Sequence, residues 1–305
     1  MTSPYGKATV LVGLTPAGKP VLGEERVHEL LAGTELEYEI VTAARPGDCT
    51  TLARAAVQKG SGYLIWVGND WTLHEVVNGI MDETGPLNPD LVMAGIPGKE
   101  GSDFLKTLGM DNDPEAAVRH LDGEPYFGID VGRITWAPPV EPNYGYFINM
   151  AQAGLSGEMA RWRGRLPRRM GKWAELIAFW ATLARFRVPD GAVKLDRRSY
   201  GGPVVNVVVA NGQFIRSGVR LALKAHPGDG KLDVLIQKGT KRDFVETMTL
   251  SLKGEHLPSP KIKEYLTARV EVAAKSLLPV EVDGRLGGQT PAIFEVVPQA
   301  FRLKI

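Results

Sequence analysis

The tightest constraint on this chain is an alternation between strand and helix periods through its first ~120 residues. Ala8 to Val12 is a short apolar run, read as a buried strand, and Leu36 to Ile40 alternates as a half-buried strand does. Asp48 is the expected N-cap of a helix from Leu52 to Lys59, stopped by Gly60. Tyr63 to Val67 and Leu91 to Ile96 read as further strands. Between them, Thr72-Leu73-His74-Glu75 has the form of a capping box, and Leu73, Val76, Val77 and Ile80 give the helix it opens one apolar face. Ser102 opens a short helix ended by Gly109, and Asp113-Pro114 starts another. The pattern predicts an α/β N-terminal domain, a doubly wound parallel sheet that binds ligands at the carboxyl ends of its strands.

From about Tyr126 the pattern changes. Phe127 to Trp136, Tyr144 to Met150, Val204 to Ala210, Leu232 to Gln237, Ala268 to Ala273 and Pro279 to Val282 read as strands. Asp190-Gly191, Gly201-Gly202 and Asp229-Gly230 read as turns between them. An antiparallel, β-sandwich-like C-terminal domain is expected, interrupted by a stretch from Glu158 to Arg187 that is basic at its start and helical at its end. The expected divisions are residues 1–125, 126–290 and 291–305, the last segment returning to the first domain. A net charge of +1 points to no polyanionic partner, so a nucleic-acid partner is not expected. The single cysteine, Cys49, forbids an intramolecular disulfide and fits a reducing cytoplasm. Neither a signal peptide nor an apolar run of the ~18 residues a membrane span needs is visible.

Four segments fall where chemistry is expected: Leu14 to Lys19, Gly68 to Glu75, Ile96 to Phe104, and His226 to Asp233. The first three follow strands of the parallel sheet, where loose amides and helix N-termini favour an anion. The fourth carries acids suited to a hard cation. Each taken alone reads more often as an ordinary turn.

Their order resembles the diacylglycerol kinase catalytic-domain family, which includes bacterial lipid kinases and the sphingosine and ceramide kinases. The resemblance covers nearly the whole chain. Where the family writes Gly-Gly-Asp-Gly-Thr and then Glu-Val-Val-Asn-Gly, this chain has Gly68-Asn69-Asp70-Trp71-Thr72 and Glu75-Val76-Val77-Asn78-Gly79. Ile96-Pro97-Gly98-Lys99-Glu100-Gly101-Ser102-Asp103-Phe104 matches Ile-Pro-x-Gly-Thr-x-Asn-Asp-Phe. Val209-Ala210-Asn211-Gly212, Pro227 to Asp233 and Val282-Asp283-Gly284-Arg285 match motifs of the second domain.

The resemblance implies transfer of the ATP γ-phosphate to a lipid hydroxyl, of diacylglycerol or sphingoid type, in a cleft between the domains. It places ATP near Gly18, Thr42, Gly68, Asn69, Asp70, Trp71, Thr72, Glu75, Lys99, Glu100 and Asp103. It places a structural Mg2+ on Asp229 and the backbone carbonyls of His226 and Lys231. The family's general base falls on Arg285, and a guanidinium does not accept a proton. Two family glycines are Asn69 and Trp71, and left-handed backbone at a tryptophan costs about 1–2 kcal/mol. A Glu100 carboxylate ~4 Å from a phosphate charge would cost on the order of 4 kcal/mol, partly offset by Lys99. Three readings stay open: a non-catalytic lipid-binding relative, a kinase using Asp70 or Asp283 as base with Arg285 on phosphate, or substitutions introduced into an active parent. An NAD kinase-like enzyme is a further alternative, on the Asp loop alone.

Arg161, Trp162, Arg163, Arg165, Arg168, Arg169, Lys172 and Trp173 cluster ahead of Leu176, Ile177, Trp180 and Leu183 at helical spacing. A membrane-surface contact by Arg161, Trp162, Arg165, Arg168, Arg169 and Trp173 is one expectation; a core-packing helix beside a solvated basic loop is the other. The expected setting is cytoplasmic and peripheral at the inner membrane face, with a lipid substrate as partner and a homodimer left open.

Overall fold

The computed structural model describes residues 5–15, 17–123, 125–167, 170–215 and 218–305. Chain contacts divide it into two units: Met1–Val131 with Pro227–Gly230 and Val297–Ile305, and Gly132–His226 with Lys231–Val296.

The first unit begins β1 (Ala8–Val12), α1 (Glu24–Leu31), β2 (Tyr38–Thr42), α2 (Asp48–Gln58), β3 (Tyr63–Gly68) and α3 (Asp70–Ile80). The small hairpin of β4 (Met81–Asp82) and β5 (Gly85–Pro86) follows, then β6 (Val92–Pro97), α4 (Asp103–Thr107) and α5 (Pro114–Val118). Its parallel sheet runs β2-β1-β3-β6 and ends on the last residues of the chain, where Arg302 and Leu303 pair with Val92 and Met93. Every residue of β1, β3 and β6 is buried, as expected of parallel strands covered on both faces. Val10, Val12, Ile65, Val67, Ala94 and Ile96 share a core with Val27 and Leu31 of α1. The alternate residues Leu11, Leu64, Trp66 and Met93 are buried on the opposite face, where α2 and α3 pack against β1 and β3. Trp66 lies across Gly95 of the neighbouring strand, where a Cβ would come within 2.2 Å of the indole.

The second unit takes up β7 (Tyr126–Trp136) from Gly132 onward, then β8 (Tyr144–Phe147), β9 (Met150–Gly154), α6 (Leu155–Arg165) and α7 (Lys172–Arg185). Next come β10 (Asp190–Leu195), β11 (Ser199–Pro203), β12 (Asn206–Ala210), β13 (Phe214–Ile215), β14 (Val219–Arg220), β15 (Leu232–Gln237) and α8 (Lys241–Ser251). The chain closes with β16 (Ile262–Thr267), β17 (Arg269–Ala274), β18 (Pro279–Val282), β19 (Arg285–Gln289) and β20 (Ala292–Lys304), whose last residues belong to the first unit. One antiparallel sheet runs β16-β15-β12-β9-β18-β19; a second layer runs β11-β10-β17-β20, with β7 and β8 beside β20. Val207, Val209, Val234, Ile236 and Val280 of the first layer share a core with Val193, Val270, Val272 and Phe294 of the second. The unit is thus a β-sandwich with an antiparallel inner face on each side.

Several local expectations need correction. Asp48 is the first residue of α2 rather than its N-cap, which is Gly47, and its carboxylate accepts from the preceding Ala44 N and Arg45 N. The helix expected from Thr72 starts at Asp70, because Asn69 is the N-cap: its side chain accepts from the backbone N–H of Trp71 and Thr72. Glu75 makes no capping box; its carboxylate accepts from Gly47 N at 2.9 Å, at the start of α2. Asp190-Gly191 and Gly201-Gly202 lie inside β10 and β11 rather than at turns. Gly191 is small because a Cβ there would come within 2.8 Å of Val204 Cγ2 and 3.1 Å of Ala273 O.

Candidate active site

Strand order places β1 between β2 and β3, so the crossovers from β1 to β2 and from β2 to β3 run in opposite directions along the sheet. Such a switch point opens a crevice at the carboxyl ends of the strands. Register sets Val12 beside both Thr42 and Val67, and Gly68 beside Pro97. The loops leaving β1, β3 and β6 therefore share one edge.

Thr72 locks two of them. It is almost fully buried, and a Cβ on Gly13 or on Gly68 would lie 2.1 or 2.2 Å from its Oγ1. Both glycines exist because the threonine of α3 fills the space a side chain would need. After β1, Thr15 N donates to Lys19 O and Gly18 N to Thr15 O, a turn for which Gly18 supplies φ +78°. Gly18, Lys19, Lys99 and Glu100 are exposed at this edge.

Asp70 ties the β3 loop to the β6 loop. Its carboxylate accepts from Ser102 Oγ at 2.5 Å, Asp103 N at 2.9 Å and Phe104 N at 3.3 Å, all at the start of α4. Burial, reinforced by Asp103 and opposed by the hydrogen bonds, pushes the Asp70 carboxyl up to about 6. Asn69 Nδ2 also donates to Glu100 Oε2 at 2.9 Å. Two residues that depart from the family pattern thus contact each other across the edge. Neither Asn69 nor Trp71 has a left-handed backbone; among the described non-glycine residues only Asp283 and Gln299 do. The strain expected at Trp71 is absent because the residue sits in the first turn of α3, where its ring stacks on His74 with centroids 4.6 Å apart.

Glu75 and Gly79 face α2. Glu75 binds Gly47 N, and burial, reinforced by Glu75, pushes the Cys49 thiol up to about 12. A Cβ on Gly79 would lie 2.4 Å from Thr50 O, so the glycine lets the two helices touch. Arg54 donates to the carbonyls of Asn78 and Met81 at the end of α3, a favourable place for a cation. The Glu-Val-Val-Asn-Gly run accordingly reads as a helix-packing element that sets where the Asp70 loop sits.

Two positioning residues escaped sequence reasoning. Asn112 holds the β6 loop by accepting from Ser102 N at 2.7 Å and donating to Ser102 O. Asp130, buried in β7, accepts from Gly230 N and Gln299 N, while its own N–H donates to Pro227 O. This anchors the Pro227-Gly228-Asp229-Gly230 turn, and a Cβ on Gly228 would strike the Phe127 ring at 2.3 Å. In sequence Asp130 is one of several polar residues of β7, with Arg133 and Thr135, and nothing beside it signals this role. His226, Asp229 and Lys231 are exposed around this turn. A carboxylate and two carbonyls form an all-oxygen donor set, which suits the chemistry of Mg2+.

In the second unit, Asp283 accepts from the backbone N–H of Ile148, Asn149 and Met150, occupying both oxygens. Asn211 holds the same segment, its Nδ2 donating to Ile148 O at 2.8 Å. Arg285 is exposed two residues later, at the start of β19. Arg161 pairs with Glu158, and Trp162 carries the guanidinium groups of Arg165 and Arg185 over its ring. Trp173 is 69% exposed, while Arg168 and Arg169 lie outside the described residues.

Comparison with known proteins agrees with this architecture. Residues 16–134 match the Diacylglycerol kinase catalytic domain, and residues 149–305 match the YegS C-terminal NAD kinase beta sandwich-like domain. The chain is 28% identical over 278 residues to a Diacylglycerol kinase of Staphylococcus carnosus (strain TM300), covering 90% of this chain and 86% of that relative. It is 27% identical over 267 residues to a Diacylglycerol kinase of Bacillus subtilis (strain 168), covering 86% and 83%. The fold also matches a crystal structure of a diacylglycerol kinase from Bacillus anthracis str. Sterne, with TM-score 0.70, 18% identity, and 98% and 96% of the two chains covered. From the ordered motifs and these matches across both halves, the chain belongs to the diacylglycerol kinase catalytic-domain family.

Proposed function

We propose that the chain transfers the γ-phosphate of ATP to the hydroxyl of a diacylglycerol- or sphingoid-type lipid. The observation that carries this reading is the single edge formed by the loops after β1, β3 and β6, cross-braced by Thr72 and Asp70. Phosphoryl transfer asks a protein mainly for positioning and charge neutralisation, which a braced edge bearing exposed lysines can supply. Lys19 and Lys99 are the cations that would meet phosphate oxygens there, and Thr42 would lie beside the nucleotide. Asp229, with the carbonyls of His226 and Lys231, would hold Mg2+. Bound Mg-ATP would supply the transferable phosphoryl group already partly neutralised.

The proton acceptor is the open element, because Arg285 cannot serve. Asp283 and Asp70 each accept three hydrogen bonds, and of the two it is Asp70 that stands at the edge shared by the loops after β3 and β6. Asp70 has a carboxyl raised toward neutrality and a hydroxyl partner in Ser102, and a pKa near the working pH suits a general base. We assign the role to Asp70. The test is transfer of labelled γ-phosphate to vesicles containing diacylglycerol or sphingosine, followed across pH. Activity should rise with an apparent pKa near 6 and vanish in Asp70→Asn. No transfer to either lipid by folded protein would count against the reading.

A second reading, a non-catalytic lipid-binding protein, draws support from the Asn69–Glu100 bond across the edge and from Arg285. Absence of Mg-ATP binding by calorimetry would favour it. An NAD kinase-like activity rests on the Asp70 loop alone, and conversion of NAD to NADP is its test.

A further inference from the structure

Helix α7 is apolar on both sides, a composition that normally places a helix in a core. One side is used in that way. Ala174, Ala178 and Thr182 are buried, and Phe179 and Leu183 pack on the cluster of Leu155, Val205, Phe244 and Leu278. The opposite side is not. Trp173 is 69% exposed, Leu176 46%, Ile177 41% and Trp180 61%. These four lie at i, i+3, i+4 and i+7, so they form one continuous stripe. Other exposed large apolar residues, such as Leu252, Leu266 and Leu277, are scattered along the second unit. Contiguous apolar surface of this kind marks a contact site.

Charge identifies the occupant. From Arg161 to Arg187 the sequence has eight basic residues and one acid, Glu175, in a chain whose net charge is only +1. Arg163 and Arg165 precede the helix, and Arg185 and Arg187 follow the stripe. Arg165 and Arg185 rest on Trp162, which links the ends of α6 and α7. An apolar stripe with two tryptophans and arginines at both ends is the pattern of a helix lying in a membrane interface: rings at headgroup depth, guanidinium groups on lipid phosphates. No helix of the described residues is long and apolar enough to cross a membrane.

We infer that the outer face of α7, through Trp173, Leu176, Ile177 and Trp180, docks on an anionic lipid bilayer, with the flanking arginines providing charge selectivity. This deepens the lipid-kinase reading and rests on it only for what the docking serves. It also replaces the residue set expected from sequence: Arg161 and Trp162 are engaged within the protein, and three apolar residues of α7 join Trp173.

The experiment is co-sedimentation of the intact protein, without nucleotide, with vesicles of phosphatidylcholine alone or mixed with phosphatidylglycerol. The wild type should bind the mixed vesicles more strongly, with tryptophan emission moving to shorter wavelength. Trp173→Ala/Trp180→Ala, both exposed and harmless to the core, should lower partitioning at least about tenfold, or about 1.4 kcal/mol. Trp173→Phe/Trp180→Phe should recover most of it. Arg163→Gln/Arg187→Gln should reduce the preference for phosphatidylglycerol while leaving binding to phosphatidylcholine alone unchanged. Unchanged partitioning of the tryptophan double variant, with circular dichroism intact, overturns the proposal. So does a wild-type dimer that the same variant dissociates and that ignores vesicles, since the stripe would then bind a second copy. A wild type that binds vesicles but phosphorylates no lipid sinks the kinase reading and leaves the docking face standing. A double variant that leaves vesicles yet phosphorylates a soluble short-chain diacylglycerol supports both.

Discussion

Asp70→Asn isolates the cost of the charge at the braced edge. In the folded chain the Asp70 carboxyl is raised from 3.8 to about 6, first by burial and then by Asp103. A rise of that size is worth about 3 kcal/mol. For an acid whose folded pKa is raised, the native state holds its proton longer than the unfolded chain does. The associated stability is therefore complete below about pH 4 and is lost as pH climbs through about 6. Asparagine cannot ionise, yet its carbonyl still accepts from Asp103 N or Phe104 N and its amide meets Ser102 Oγ. Wild type and variant should thus be close in stability near pH 4. The variant should gain up to about 3 kcal/mol relative to wild type by pH 7. Urea unfolding across this range gives the difference, and amide exchange in β3 and β6 confines the readout to the first unit. A difference independent of pH, or one that runs the other way, would refute the reasoning. It would mean that the bonds from Ser102, Asp103 and Phe104 outweigh burial.

Gly79→Ala should destabilise the α2–α3 contact by about 1–3 kcal/mol, because its Cβ meets backbone, which cannot swing aside; an unchanged urea midpoint would show that the helices are further apart. Asp283→Ala should cost on the order of 3 kcal/mol through three orphaned amides at Ile148, Asn149 and Met150, with Asp283→Asn milder; thermal unfolding of the two variants ranks them, and equal losses would deny the carboxylate its role.

What could be read in the sequence was what local pattern determines. β1, β3 and β6 are fully buried and almost wholly apolar runs, and their composition suffices to find them. The ordered motifs located the braced edge. The misreadings came from residues with two local uses. Asn69 and Thr72 are both competent N-caps, and only the pairing of Thr72 with Gly13 and Gly68 decides between them. Gly191 looked like a turn residue because the Val204 and Ala273 atoms that require it lie on other segments. Asn112 and Asp130 act on loops distant in sequence, so nothing beside them announces the task. For α7 the periodicity revealed an apolar stripe, but a stripe carries no mark of whether protein covers it. The exposure of Trp173 and Trp180 is a property of the second unit's packing.

The central claim is that this chain, with Asn69, Trp71, Lys99, Glu100 and Arg285 in place, transfers phosphate from ATP to a lipid. The direct measurement compares it with a variant carrying Asn69→Gly, Trp71→Gly, Lys99→Gly, Glu100→Thr and Arg285→Glu together. Both receive labelled ATP, Mg2+ and diacylglycerol vesicles, and label is counted in extracted lipid. Transfer by the native chain is expected, with no gain in the variant, which loses the Asn69 cap of α3 and the Asn69–Glu100 bond. A silent native chain beside an active variant would contradict that claim.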